Sequence, residues 1–357
     1  VKVELPEDLS PKAKLFDDSG AVISKGFLPS SEGKRKEKLP IGRLPVGWYR
    51  VAFFSGDDTE LKWTTCAVLH PLKAPVPRDS PVCVDAAISW FARNDLVRQE
   101  HFARLAALAG VNWIRDRLSW REIEPSEDFF LSHTNYDISA AIQHKFGLKI
   151  LQVFHDTPRW AAESERKVER FPPDLRHAFN FCRAISKRFR RYVRAWEPWN
   201  EPNVLQFGGH TINEIASYQK AAYLGFKAGD PTVTVGMCAY TGKPTQLHAW
   251  GLLANETFAY FDTYNFHSYD WHESYPSSWE PCRNASSGKQ IWLTECDRGM
   301  KGASGPPWYD LTREGELLKA QFLPQAYALS LYSGAQRHFH FILDNYTEEW
   351  NLSLIHI

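Results

Sequence analysis

Neither sign of charge is in excess in this chain of 357 residues, where 42 Lys and Arg are matched by 42 Asp and Glu. A balanced chain has no electrostatic footprint for nucleic acid or an anionic membrane, so its ligand is expected to be neutral or small. Long apolar runs are lacking as well. No stretch approaches the roughly 20 residues of a membrane-spanning helix, and no signal peptide opens the sequence. The first residue is Val1 rather than Met, so a leader is expected upstream, which favours a secreted or periplasmic location. The six cysteines (Cys66, Cys83, Cys182, Cys238, Cys282 and Cys296) form no CxxC pair and no regular framework. That sets aside a zinc ribbon or a dense disulfide scaffold and leaves small buried hydrophobes. A glycine-rich phosphate turn is missing too. Ser89-Trp90-Phe91-Ala92-Arg93-Asn94 follows the first strand-like run of the main domain, without the glycines a doubly wound nucleotide-binding sheet uses there.

Aromatic residues are plentiful, with 14 Trp and 14 Tyr. Such rings stack on the C–H faces of sugars, although a large core uses most of them. Residues 1–78 read as a small antiparallel β-sandwich. Asp18-Ser19-Gly20 signals a hairpin, Gly47–Phe54 and Thr59–His70 are strand-like, and Ser30–Lys38 is a charged loop. Pro71, Pro75, Pro77 and Pro81 make a stiff linker. Residues 79–352 alternate strand and helix. Strands are predicted at Val82–Ile88, Val111–Leu118, Leu148–Phe154, Val193–Trp199, Thr232–Ala239, Phe261–His267, Gln290–Thr294 and Gln336–Leu343. Helices are predicted between them, except after the sixth strand, where a Pro- and Ser-rich loop (Ser274–Lys289) is expected, with Asp174 and Asn213 as N-caps and Gly110 and Gly147 as stops. The alternation predicts an α/β fold, a (β/α)8 TIM barrel behind the β-sandwich. The terminal segment 353–357 reads as translated adapter sequence foreign to the protein, so the eighth helix is expected to be missing.

Active residues of such barrels stand at the C-terminal ends of the strands. Those ends carry Arg115, Asp116 and Arg117, then His155 and Asp156, then Trp199-Asn200-Glu201-Pro202. They continue with His267, Tyr269 and Asp270, then Glu295 and Asp297, then His340 and Asp344. Two glutamates, Glu201 and Glu295, each follow a hydrophobic strand. Glycoside hydrolysis needs such a pair, with one carboxyl protonating the leaving oxygen and the other attacking or directing water.

The runs WNEPN on the fourth strand and WLTE on the seventh resemble the retaining "4/7" glycoside hydrolases of clan A. GVNWIRDRLSWREIEP, TPRWA and DTYNFHSYD are similar to the second, third and sixth strand regions of that clan. The pattern is nearest family 39, with family 5 as a neighbour, over residues 82 to 350. The resemblance implies Glu201 as general acid/base, Glu295 as nucleophile, Asn200 on a sugar hydroxyl and Arg115 beside the nucleophile. His267 and Tyr269 fall in the sixth-strand motif, and which of them touches the nucleophile is left open. His155 and Trp271 complete the substrate-binding set. No cofactor and no metal are implied, and the partner is a carbohydrate. Two other readings stand beside this one. His338 and His340 share a face of the eighth strand and, with His155, His267 and Asp344, would make a zinc-dependent barrel hydrolase. A non-catalytic carbohydrate-binding barrel is the third.

Overall fold

The computed structural model describes residues 12–27, 43–163, 169–242, 244–298, 300–301, 312–343, 346–348 and 351–353. The chain divides into two compact units, Val1–Pro75 and Val76–Ile357. In the first, β1 (Lys12–Asp17), β2 (Val22–Phe27), β3 (Gly47–Phe54) and β4 (Glu60–Val68) form one antiparallel sheet in the order β2-β1-β3-β4. The Asp-Ser-Gly hairpin forms where it is predicted. Asp17 Oδ1 accepts from the Ser19 and Ala21 N–H groups at 2.9 Å each, and Gly20 takes a φ of +82°. Strand alternation gathers Ala13, Leu15, Tyr49, Val51 and Phe53 into one apolar cluster. A sandwich requires a second sheet, and among the described residues of this unit there is one sheet only. Alternation reports that a face is buried and says nothing of what covers it. The predicted loop Ser30–Lys38 lies outside the described residues.

The second unit opens with β5 (Val82–Asp85), α1 (Ile88–Phe91), α2 (Leu96–Leu108), β6 (Trp113–Ser119), α3 (Trp120–Ile123), α4 (Asn135–Lys145) and β7 (Lys149–His155). It continues through α5 (Leu175–Phe189), β8 (Val193–Glu197), α6 (Ile212–Gly229), β9 (Thr234–Val235), β10 (Tyr240–Thr241), α7 (Gln246–Ala254) and β11 (Thr263–Ser268). Next come α8 (Tyr275–Ser278), α9 (Glu280–Ser286), β12 (Gln290–Cys296), β13 (Met300–Lys301), α10 (Arg313–Tyr332), β14 (Ala335–Phe341), β15 (Tyr346–Glu348) and β16 (Asn351–Ser353).

The parallel strands run β10-β11-β12-β14-β5-β6-β7-β8-β9. The two edges are halves of one stretch, since β9 pairs with β8 and β10 with β11. Between the halves, Gly236 N–H donates to the Trp196 carbonyl and Met237 N–H to the Thr263 carbonyl, each at 2.8 Å. That double bonding closes the sheet into an eight-stranded barrel whose fifth strand is broken. Glycine is required at 236, because a Cβ there would come within 2.2 Å of Asn265 Nδ2.

Local signals set the helices. Asp95 and Asp174 cap α2 and α5 by accepting from the Arg98 and Arg176 N–H groups at 3.0 and 2.9 Å. The cap of α6 is Thr211 and not Asn213. Glu214 at the third helical position reaches back to the Thr211 N–H at 2.8 Å, a reciprocal box that outcompetes a lone Asn. The Pro- and Ser-rich segment after the sixth barrel strand is helical, forming α8 and α9, with a proline in the first turn of each, where no N–H is needed. Beyond β14 the described residues form β15 and β16, which pair with each other, and no helix is among them.

The barrel floor is a layer of inward side chains from six strands, Cys83, Trp113, Leu151, Ala195, Trp292 and Phe339. Trp113 and Trp292 meet edge to face at 5.4 Å, and the Arg337 guanidinium lies over both rings at 4.7 and 5.3 Å. Trp292 is therefore core, and everything chemically active sits above it.

Candidate active site

Period-two alternation carries each inward position from the floor to the mouth. Cys83 leads to Asp85, Trp113 to Arg115 and Arg117, and Ala195 to Glu197. Asp85, Arg115 and Glu197 are fully buried. Arg115 Nε donates to Glu197 Oε1 at 3.0 Å and Nη2 to the same oxygen at 2.5 Å. Nη1 donates to Asp85 at 2.7 Å and also to Glu295, and Nη2 reaches Asn200 Oδ1 at 2.7 Å. Arg117 bridges Asp85 at 2.5 Å and Glu295 at 2.7 Å. Asn265 closes the network by donating to Glu197 Oε2 at 2.9 Å. The sequence reading did not single out Asp85, Glu197 or Asn265 for the site, and it did not pick Arg117 from the strand-end residues. A usable signal existed, since each is a polar side chain on the inward phase of its strand.

Glu295 faces inward because β12 slips its register. β11 pairs with β12 as Asn265↔Trp292, Phe266↔Leu293 and then His267↔Glu295, so Thr294 is skipped. Strict alternation from inward-facing Trp292 would have turned Thr294 to the interior. The bulge shifts the phase by one residue and delivers Glu295 instead. Burial pushes the Glu295 carboxyl up, but the charge of His267, the two guanidiniums and the Tyr269 hydroxyl outweigh it and lower its pKa to about 2.

Glu201 arrives from β8 through a left-handed residue, with φ of +41° at Glu201 itself. Such a conformation costs a non-glycine residue about 1 kcal/mol or more and is held by its surroundings. His267 is the link between the glutamates. Its Nδ1 lies 2.6 Å from Glu201 Oε1 and 3.5 Å from Glu295 Oε2. The facing atoms of Glu201, His267 and Glu295 all lie within 4.8 Å of one another. Tyr269 donates its hydroxyl to Glu295 Oε2 at 2.5 Å. Burial, with the charges of Glu295 and Glu201 nearby, raises that phenol well above its ordinary range and keeps it a donor. Both sixth-strand residues thus touch Glu295, and His267 touches Glu201 as well.

The remaining predicted residues lie further out. His155 is buried at the end of β7, where its Nδ1 meets Asp156 Oδ1 at 2.8 Å and half-exposed Trp90 packs edge-on at 5.1 Å. None of its described contacts is with either glutamate. Trp271 is 39% exposed, edge-on to Phe322, with the Arg298 guanidinium 5.4 Å from its ring. Trp120 is fully buried and stacked on Phe181 at 4.6 Å, and Trp160 donates to the Glu124 carbonyl.

The histidine set of the zinc reading is not assembled. His338 and His340 point outward to α10, His338 bonding Ser330 at 2.8 Å and both rings lying near Tyr327. His267 is inside the barrel, His155 is with Trp90, and Asp344 lies outside the described residues. Among the described residues, those grouped so that they could hold an ion are Glu201, His267 and Glu295. Of these, Glu295 already accepts from two guanidiniums.

No protein-family model matches the chain, and no curated protein matches it in sequence. Solved structures do match in fold. A family 39 glycoside hydrolase from the gut symbiont Bacteroides cellulosilyticus WH2 is similar with a TM-score of 0.66 at 17% identity, over 94% of this chain and 70% of its own. An exo-β-1,4-mannosidase from Opitutaceae bacterium strain TAV5 gives 0.53 at 14% identity, over 77% and 55%. The GH53 catalytic domain of Ignisphaera aggregans gives 0.51 at 16% identity, over 76% and 87%. The chain is a (β/α)8-barrel protein with the fold of the clan A glycoside hydrolases. At such identities the likeness establishes the fold, and the chemistry rests on the site.

Proposed function

We propose that this chain is a retaining glycoside hydrolase, with residues 79–352 as its catalytic barrel and residues 1–78 as an accessory module. One observation carries the reading. Glu201 and Glu295 present carboxylate oxygens within 4.8 Å of each other at the C-terminal mouth of the barrel. Retaining enzymes hold their two carboxyl groups about 5–5.5 Å apart, whereas inverting ones leave room for a water at about 6.5–9.5 Å.

Glu295, held ionised by Arg115 and Arg117, attacks the anomeric carbon while Glu201 protonates the departing glycosidic oxygen. The C–O bond to the leaving group breaks as the ester to Glu295 forms. Glu201, now a carboxylate, takes a proton from water, which displaces Glu295 with a second inversion. Tyr269 and His267 orient the two carboxylates. The side-chain carbonyl of Asn200 is engaged by Arg115, which leaves its amide N–H groups for a sugar hydroxyl. His155 and Trp271 would line the approach. The substrates are poly- or oligosaccharides, and no step calls on a cofactor or a metal.

The test is covalent trapping. Incubation with an activated 2-deoxy-2-fluoro glycoside, digestion and mass spectrometry should place the sugar on the peptide containing Glu295. A product released with inverted anomeric configuration, and no labelled glutamate, would overturn the reading.

A further inference from the structure

Arg298 stands three residues beyond Glu295, just past the end of β12, and it is fixed from two sides. Its carbonyl accepts from Lys319 Nζ of α10 at 2.6 Å, and Lys319 is itself buried and ion-paired with Asp297. Its guanidinium donates from Nη1 to the Tyr269 carbonyl at 3.2 Å and lies over the Trp271 ring at 5.4 Å. Tyr269 therefore holds Glu295 through its hydroxyl and Arg298 through its backbone. Arg115 and Arg117 pair with Asp85 and Glu295, and Arg121 pairs with Asp156. Among the described residues no carboxylate lies within ion-pair range of Arg298, and its Nε and Nη2 donors have no protein acceptor.

We propose that Arg298 reads a negative charge on the sugar, so that the preferred substrates are anionic glycosides bearing a carboxylate or a sulfate ester. The proposal rests on the glycosidase reading and names its substrate class. A guanidinium held by the Tyr269 carbonyl beside the Trp271 ring offers its remaining donors as a planar fork, which matches an oxyanion in a bidentate way. The zero net charge of the chain pointed to a neutral ligand, but that balance is a property of the whole surface and not of one cation at the mouth.

The experiment compares matched neutral and anionic 4-nitrophenyl glycosides in both anomers, glucoside against glucuronide and galactoside against galactoside 6-sulfate. One anionic member is expected to exceed its neutral partner in kcat/KM by about tenfold or more. The pair that responds distinguishes carboxylate from sulfate. Arg298→Gln should abolish the preference by raising KM for the charged substrate, with neutral-substrate turnover unchanged as the control for folding. Arg298→Lys should retain part of it. Neutral glycosides cleaved as well as every anionic partner, or a preference that survives Arg298→Gln, would overturn the proposal. If no glycoside at all is cleaved, the glycosidase reading fails alone. Calorimetric titration with D-glucuronate, D-galactose 6-sulfate and D-glucose then decides on Arg298. Tighter binding of an anionic sugar that is lost in Arg298→Gln supports it, and equal affinities in wild type and variant sink it.

Discussion

Arg115 grips Glu197 with two nitrogens, Nε at 3.0 Å and Nη2 at 2.5 Å on the same oxygen, and so reaches Glu295 already oriented. Neither residue of this pair has any exposed surface. Buried charges of this kind cost desolvation energy and are retained only when each finds its partners. Here two guanidiniums are shared among Asp85, Glu197 and Glu295, so the ion network supplies both the rigidity and the field of the site.

Replacing Glu197 with Gln should therefore behave as the breaking of a buried pair. A loss of about 3–5 kcal/mol of stability is expected, read by urea unfolding with an unchanged m-value. A variant as stable as the parent would mean that Glu197 is a bystander.

Glu295→Gln should lower turnover of aryl glycosides by about a thousandfold or more while leaving sugar binding measurable. Glu201→Ala should lose activity toward poor leaving groups. With an activated leaving group and added azide, it should recover and release a glycosyl azide of retained configuration. Absence of that rescue in a folded Glu201→Ala protein would remove Glu201 from the acid/base role.

The Glu295 carboxyl titrates near 2 in the folded protein, below the ordinary 4.5 of an unfolded Glu. A depressed folded pKa stabilises above the unfolded value and loses that contribution as pH falls from about 4.5 toward 2. The contribution is on the order of 3 kcal/mol. Unfolding free energies of wild type and Glu295→Gln, measured from pH 6 to pH 2, should converge as the pH falls through this window. A constant gap across it would contradict the network.

Activity should persist in EDTA. Glu295, the group an ion would need, already accepts from Arg115 and Arg117, and the other histidines of the zinc reading face α10 or Trp90. Loss of turnover on chelation, restored by zinc, would reinstate the metal-dependent hydrolase.

The alternation of strand and helix was legible because it is a local property. Period-two runs, caps such as Asp95 and Asp174, and the stops at Gly110 and Gly147 act within a few residues. The glutamates were legible for the same reason, each being a carboxylate that ends an apolar strand. Where a signal needed context, the reading slipped. Thr211 took the cap from Asn213 because Glu214 completed its box, and the Pro- and Ser-rich segment expected as a loop formed the short helices Tyr275–Ser278 and Glu280–Ser286, each with its proline in the first turn.

By itself, then, the sequence determined eight strands, their covering helices and two acidic side chains at strand ends. Only the closed barrel decided that these acids meet. Arg115 lies 180 residues from Glu295, and no local pattern encodes that contact. The skipped Thr294 decided which face Glu295 occupies, a matter of register between neighbouring strands that a single strand does not carry. The partners of Arg115, and the placing of Arg298 beside Tyr269 and Trp271, came into being when distant strand ends were brought to one rim.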